Sequence, residues 1–331
     1  SIAGYRRGNM SGQGSEAFRQ RRQFLNSLLA LPAFAVGAAT VGYGGMLPAA
    51  GESDSEISLG FSLYGTKQLT LEESMLACSA AGFRHVEFCL NPGFPTEPAV
   101  FDAAARRTTA ARLRELHLTL PCLMIQIPLG CDDAGQQASL RTIAEAAALG
   151  RDLVPDQPPI LETVVGGSPA KWDEQKAGML QRLKGWAELA EREQVVLAIK
   201  AHVGSAMNSP ARLLWLLQEC GSAAIQAAYD FSHFELQGLQ LQPTLTELLP
   251  RTRFIHVKDT AGDAAKFRFL LPGEGRTDYV QYFRLLRQLK YSGPVCVEVS
   301  GQVSGQPGYD ARKAITSTWA VLSKALAESA G

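Results

Sequence analysis

The stretch "VVLAIKAHVG", residues 195–204, begins as an apolar β-strand and ends on polar side chains. Alternate residues of a strand face opposite sides of its sheet. Val195, Leu197 and Ile199 therefore share one face, and Ala198, Lys200 and His202 share the other. Burying an ammonium group is costly unless it is paired. The pattern suits a sheet whose apolar face is covered by helices and whose other face lines a closed interior.

The same division recurs along the chain. Near Ile225, Tyr229 and Phe231 stand against Asp230 and Ser232; near Thr252, Ile255 and Val257 stand against His256 and Lys258. Near Pro294, Val295, Val297 and Val299 oppose Cys296, Glu298 and Ser300, and near Phe83, Val86 and Phe88 oppose His85 and Glu87. Gln126 and Glu162 extend the inward set. Further apolar runs begin near Ile57, Leu118 and Pro159. Helical stretches lie between the runs, at 71–81, 136–149, 173–192, 210–220 and 278–289. Thr70, Ser209-Pro210 and Thr277-Asp278 supply helix starts, and Gly82, Gly150 and Gly221 stand where helices should stop. Eight strand–helix units over residues 55–329 predict a single (β/α)8 TIM barrel of α/β class. A doubly wound open sheet is the alternative, but no GxGxxG follows any strand.

Residues 1–50 read as a separate N-terminal segment. Gln20-Arg21-Arg22-Gln23-Phe24-Leu25-Asn26 is close to a twin-arginine export signal, and an uncharged run rich in Ala and Gly follows from Leu28 to Leu47. Such a run could also anchor loosely in a membrane. Pro32 and the small residues around Pro48-Ala49-Ala50 favour a processed signal, with Met10 as a candidate start and a periplasmic destination. The charge is balanced, 32 basic against 32 acidic residues, which argues against a nucleic-acid partner. Six cysteines make no CxxC pair, so buried free thiols are expected rather than disulfides or a structural zinc site.

The inward polar residues gather at strand C-termini, where TIM barrels build active sites. Three of five histidines, His202, His233 and His256, fall there; His85 and His117 read as structural. Glu87, Glu162, Asp230 and Glu298 would face one mouth, and such carboxylates cannot all stay ionised without nearby positive charge. A divalent metal, Lys200 and Lys258 are the available remedies. "LPGEGRTDY" (271–279) lacks the P-loop pattern and is expected to be a turn closing over the site, with Lys266, Arg268 and Arg276 near substrate oxygens. "GFSLYG" (60–65) is not the GxSxG of serine hydrolases.

"GFRHVEFCL" (82–90), "LAIKAH" (197–202), "YDFSHF" (229–234), "FIHVKD" (254–259), "LPGEGRTDY" (271–279) and "VCVEVSG" (295–301) together resemble the xylose-isomerase-like TIM-barrel superfamily of sugar-phosphate isomerases/epimerases and ketose 3-epimerases. The resemblance implies a divalent ion (Mn, Mg or Zn) held by Asp230, His256 and Glu298. It also implies that Glu298 is an acid/base, His233 a substrate-binding residue at the catalytic centre and Asp259 a support for the histidine. The sequence departs from the family on the fifth strand, where Lys200 replaces a metal-binding, proton-shuttling glutamate. A protonated lysine has no lone pair for a metal. It could act as a base with lowered pKa, as an electrophile or imine former, or as a structural cation.

The expected function is an exported isomerase or epimerase of a non-phosphorylated sugar, abstracting a proton next to a carbonyl, with metal assistance. Lys200, Glu298 and His233 are the expected catalytic residues. Glu87, Gln126, Glu162, His202, Lys258 and Arg268 are expected to bind substrate. The alternatives are a keto-sugar lyase or dehydratase with Lys200 as base, and a non-catalytic carbohydrate-binding relic of the fold. A small-molecule carbohydrate is the expected partner, and self-association stays open.

Overall fold

The computed structural model describes residues 56–331. The twin-arginine pattern and the membrane-anchor alternative lie outside the described residues. Eight parallel strands close into a barrel: β1 (Ile57–Ser62), β2 (His85–Cys89), β3 (Thr119–Met124), β4 (Ile160–Val164), β5 (Leu197–Lys200), β6 (Ile225–Asp230), β7 (Thr252–Val257) and β10 (Gly293–Val297). Around the barrel they run β1-β10-β7-β6-β5-β4-β3-β2, so β10 pairs with β1 and completes the ring. The intervening β8 (Asp259–Gly262) and β9 (Phe267–Leu270) form a separate antiparallel hairpin.

The helices are α1 (Leu71–Ala81), α2 (Ala103–Glu115), α3 (Asp133–Leu153), α4 (Trp172–Arg192), α5 (Pro210–Cys220), the short α6 (Phe231–Glu235), α7 (Leu241–Leu248), α8 (Tyr279–Gln288), the short α9 (Gly301–Ser304) and α10 (Ala311–Glu328). Local sequence sets several boundaries. Thr70 and Glu73 make a reciprocal capping box that starts α1, and left-handed Gly82 ends it. Ser209 caps α5 ahead of Pro210, and left-handed Gly221 closes it. Gly150 does not stop its helix: α3 continues to Leu153. A Cβ there would lie 3.1 Å from the Pro159 ring, so this glycine serves close packing rather than termination.

Strand alternation sorts the core into two layers. Val86, Phe88, Leu197, Ile199, Tyr229, Ile255, Val257, Val295 and Val297 belong to the large cluster between strands and helices. Each such fully buried aliphatic or aromatic side chain contributes roughly 1.5–3 kcal/mol. Cys122, Ala198, Ala228, Phe254 and Cys296 form a separate cluster inside the barrel. That interior is tight at Gly60, where a Cβ would come 2.2 Å from Cys296 Sγ. All six cysteines are free, four of them buried. His85 is buried between Ser58 Oγ and Thr119 Oγ1, both at 2.5 Å. His117 is an exposed left-handed turn residue after α2.

Candidate active site

At the C-terminal mouth of the barrel a cavity of about 330 Å³ is lined by Gln126, Glu162, Lys200, His202, His233, Lys258 and Glu298, among others. This lies at the small end of ligand pockets, about 300–1,000 Å³. Lys200 ends β5, and Asp230 ends β6. Lys258 and Glu298 each follow the last residue of a strand, β7 and β10 respectively. The alternation read from the sequence thus delivers these groups to one place.

Glu298 lies between two cations. Lys200 Nζ donates to its Oε1 at 3.0 Å, and Lys258 Nζ donates to its Oε2. Lys258 also donates to Asp230 Oδ2, and Ser232 Oγ donates to Asp230 Oδ1 at 2.6 Å. Burial opposes charge on Glu298 and Asp230, but the ammonium groups prevail and hold both carboxyls well below the usual carboxylate range. Glu162 Oε1 lies 3.2 Å from Lys200 Nζ without a hydrogen-bonding alignment. Burial raises its pKa, and Lys200 only partly offsets this.

Lys200 is itself about 1% exposed. Burial disfavours its charge, yet Glu162, Glu298, Asp230 and Glu87 together raise its pKa above that of a free lysine. It is therefore a fixed ammonium in this arrangement. The surrounding carboxylates favour the electrophilic or structural cation over a base or imine former, both of which need the free amine.

His256 links Lys200 to Glu87. Its Nδ1 is 2.9 Å from Lys200 Nζ, and its Nε2 is 2.9 Å from Glu87 Oε2. Beside an ammonium, Nδ1 must accept, so Nε2 carries the proton and donates to Glu87. Burial lowers the affinity of His256 for a second proton and Glu87 more than restores it. The charged Lys200 nevertheless excludes a proton from Nδ1. Glu87 and His256 are fully buried and lie outside the cavity lining. Glu87, expected among the substrate-binding residues, thus bonds His256 and stands away from the cavity.

His202 and His233 pack against one another with their rings tilted by 43° and centroids 4.2 Å apart. Gly204 N donates to His202 Nδ1 at 3.1 Å and Val203 N to His233 Nδ1 at 3.4 Å, so each ring carries its proton on Nε2. Burial drives the His202 pKa down to about 3, helped by His233 and Lys258. Burial likewise lowers His233 to about 4, against the pull of Asp230. Both are neutral donors. His233 Nε2 lies 3.4 Å from Asp230 Oδ2 but makes no hydrogen bond there.

Three expectations fail outside this cluster. Arg268 is exposed on β9 and lies outside the cavity, because the strand's alternation turns Phe269 inward instead. Lys266 and Arg276 are exposed too, and Arg276 pairs with Glu235 at 3.3 Å. Asp259 does not support His256: it accepts from Gly273 N at 2.8 Å, Gly275 N at 2.9 Å and the Tyr279 hydroxyl at 3.1 Å. The glycine-rich turn is therefore anchored to β8 rather than closing over the site. Tyr64, Asn91 and Phe269 also line the cavity, outside the polar set that the sequence singles out. Phe269 packs 5.2 Å from His233 and 5.0 Å from Lys258 Nζ, a cation–π contact. Its inward place was readable from the Phe267-Arg268-Phe269 alternation; Tyr64 and Asn91 sit in segments with no period.

The donor atoms implied for a metal do converge. Asp230, His256 and Glu298 offer ligand atoms within 4.8 Å of one another, as do Glu87, Glu162 and His256. However, Lys258 bonds both carboxylates of the first group, and Lys200 bonds Glu298 and His256. Every donor of the first group is thus already bonded to an ammonium, so its side chains as arranged do not fit a divalent ion.

A family model described as "Xylose isomerase-like TIM barrel" matches residues 75–319. An Escherichia coli (strain K12) protein provisionally named as an L-ribulose-5-phosphate 3-epimerase is 25% identical over 255 residues, covering 73% of this chain and 87% of the relative. A Salmonella typhi L-ribulose-5-phosphate 3-epimerase is 27% identical over 43% of this chain, and the match spans about half, 49%, of that relative's length. Among solved structures, the IolI protein with a bound zinc atom superposes with a TM-score of 0.69 at 17% identity, covering 82% of this chain and 98% of that one.

Proposed function

The chain belongs to the xylose isomerase-like TIM barrel family, and from that premise we propose that it is an exported isomerase or epimerase of a non-phosphorylated sugar. The relatives it matches are named for epimerisation of a ketose phosphate, and the reaction class is carried over from them. The observation that carries the reading is Glu298, a cavity-lining carboxylate fixed between two ammonium groups.

In the proposed reaction Glu298 takes the proton from the carbon next to the substrate carbonyl. The C–H electron pair forms the enediolate, whose negative charge collects on the former carbonyl oxygen beside Lys200 and Lys258. Glu162 is the second acid/base: β4 and β10 lie opposite one another in the eight-stranded ring, and both carboxyls contact Lys200. Its raised pKa suits a group that returns a proton. Return to the opposite face of the same carbon gives the epimer; return to the neighbouring carbon, with the adjacent hydroxyl proton passing to the alkoxide oxygen, gives the isomer. His202 and His233, with protons on Nε2, orient substrate hydroxyls.

A free sugar is favoured because, among the described residues, no arginine, the side chain best matched to bidentate phosphate binding, lines the cavity. Export rests on the Arg21-Arg22 pattern. The test is deuterium uptake from solvent into a panel of keto sugars, followed by NMR. Uptake by wild type that is lost in Glu298→Gln is expected. Binding without any exchange would make the chain a carbohydrate-binding protein instead.

A further inference from the structure

We propose that the ammonium groups of Lys200 and Lys258 stand in place of a divalent metal ion, so that the site works without one. The disagreement between donors and occupants described above carries this. Asp230, His256 and Glu298 have the spacing of a single-ion site, with ligand atoms within 4.8 Å. Every one of them already has an ammonium bonded to it. Lys258 takes Asp230 Oδ2 and Glu298 Oε2, and Lys200 takes Glu298 Oε1 at 3.0 Å and His256 Nδ1 at 2.9 Å. In the second group His256 Nε2 is committed to Glu87 and Glu162 faces Lys200 at 3.2 Å.

The lysines have nowhere to retreat. Each side chain is 2% exposed, and the partners that compensate its charge are the same atoms an ion would need. An ion at ligand distance, about 2.0–2.2 Å for carboxylate oxygen, would leave a dication against a buried ammonium or strip that ammonium of its carboxylates. Either is strongly unfavourable in a low-dielectric interior.

The pair also supplies the chemistry asked of a metal. Both ammonium groups line the cavity and sit on the two oxygens of one carboxylate. Such a pair can donate to the two vicinal oxygens of an α-hydroxy ketone and hold the enediolate as charge develops. That last step rests on the proposed isomerase chemistry; the exclusion of metal does not.

The experiment uses the full chain, stripped with chelator and titrated calorimetrically with Mn²⁺ and then Zn²⁺, beside deuterium exchange with and without EDTA. Wild type is expected to bind neither ion stoichiometrically and to keep its exchange rate within about twofold in EDTA. Lys200→Glu, checked for folding by circular dichroism, is expected to gain at least about tenfold in Mn²⁺ affinity, because it trades an ammonium for a ligand. Stoichiometric uptake by wild type, with exchange lost on chelation, would overturn the proposal. If no sugar exchanges at all, the isomerase reading fails while the wild-type titration still decides this one: silence supports it and stoichiometric binding refutes it. The same titration decides if Lys200→Glu does not fold.

Discussion

Glu87 on β2 reaches across the barrel interior to His256 on β7, its Oε2 2.9 Å from Nε2. This bond fixes the imidazole so that Nδ1 is left to accept from Lys200. Glu87 lies outside the cavity lining, yet it orients the residue that accepts from the cation. Glu87→Gln should therefore lower kcat by about 10–100-fold, the usual cost of removing such support, with little change in KM. A rise in KM at constant kcat would mean that Glu87 touches the sugar after all.

Lys200 is the shared partner of Glu162, Glu298 and His256. Lys200→Met keeps length and removes charge, and it should reduce solvent-deuterium exchange by about 10²–10³-fold. It should also destabilise the fold by about 3–5 kcal/mol, because buried carboxylates lose their cation. Urea unfolding at pH 7 measures the second effect, and it should shrink at low pH as the carboxylates protonate.

Stability should fall with acid through two histidines. His233 and His202 have folded pKa values of about 4 and about 3, below the ordinary 6.5. The unfolded chain therefore binds more protons between these values. Their contribution is complete above about pH 6.5 and is lost as pH falls toward 4 and 3, at up to about 1.4 kcal/mol per pH unit for each. Asp230 and Glu298, held low, add a loss of the same sign below about pH 4. Urea midpoints between pH 7 and 4.5 test this, and His233→Asn should flatten the slope.

Arg268 is expected to be silent. It is exposed and outside the cavity, so Arg268→Ala should leave kcat/KM within about twofold. A larger drop would require the hairpin to turn this side chain inward when substrate binds.

Gly60→Ala tests the barrel interior rather than the site. Its new methyl would meet Cys296 Sγ at 2.2 Å and His85 Cβ at 3.0 Å. A loss of about 1–3 kcal/mol in unfolding free energy is expected, largely recovered when Cys296→Ala makes room.

The period-2 rule explains what the sequence could and could not reveal. It assigned Lys200, Asp230, His256 and Glu298 to one interior because each shares a strand with outward Val, Ile, Leu or Tyr. It could not tell depth along that interior, so Glu87 was grouped with cavity residues although it lies below them. The β8–β9 hairpin was not foreseen because its residues follow β7 after a single residue and carry mixed polarity. Arg268 belongs to this hairpin, which is why its exposed position is not legible in the sequence. Helix α2, Ala- and Arg-rich with Thr109, Ala110 and Leu113 buried, offered too thin an apolar stripe to stand out. Asp259 satisfies backbone amides from a loop fourteen and sixteen residues away, a pairing no local pattern encodes.

The ammonium at position 200 also bears on how such a site can arise. A glutamate together with the divalent ion it binds carries a net +1, and a lysine carries +1 alone. Exchanging one for the other leaves the positive charge facing Glu87, Glu162, Asp230 and Glu298 unchanged, so no other carboxylate has to be replaced. Glutamate and lysine codons differ by one nucleotide. A metal-dependent ancestor and a metal-independent descendant would thus be single-step neighbours, and for the descendant the supply of trace metal would no longer limit turnover.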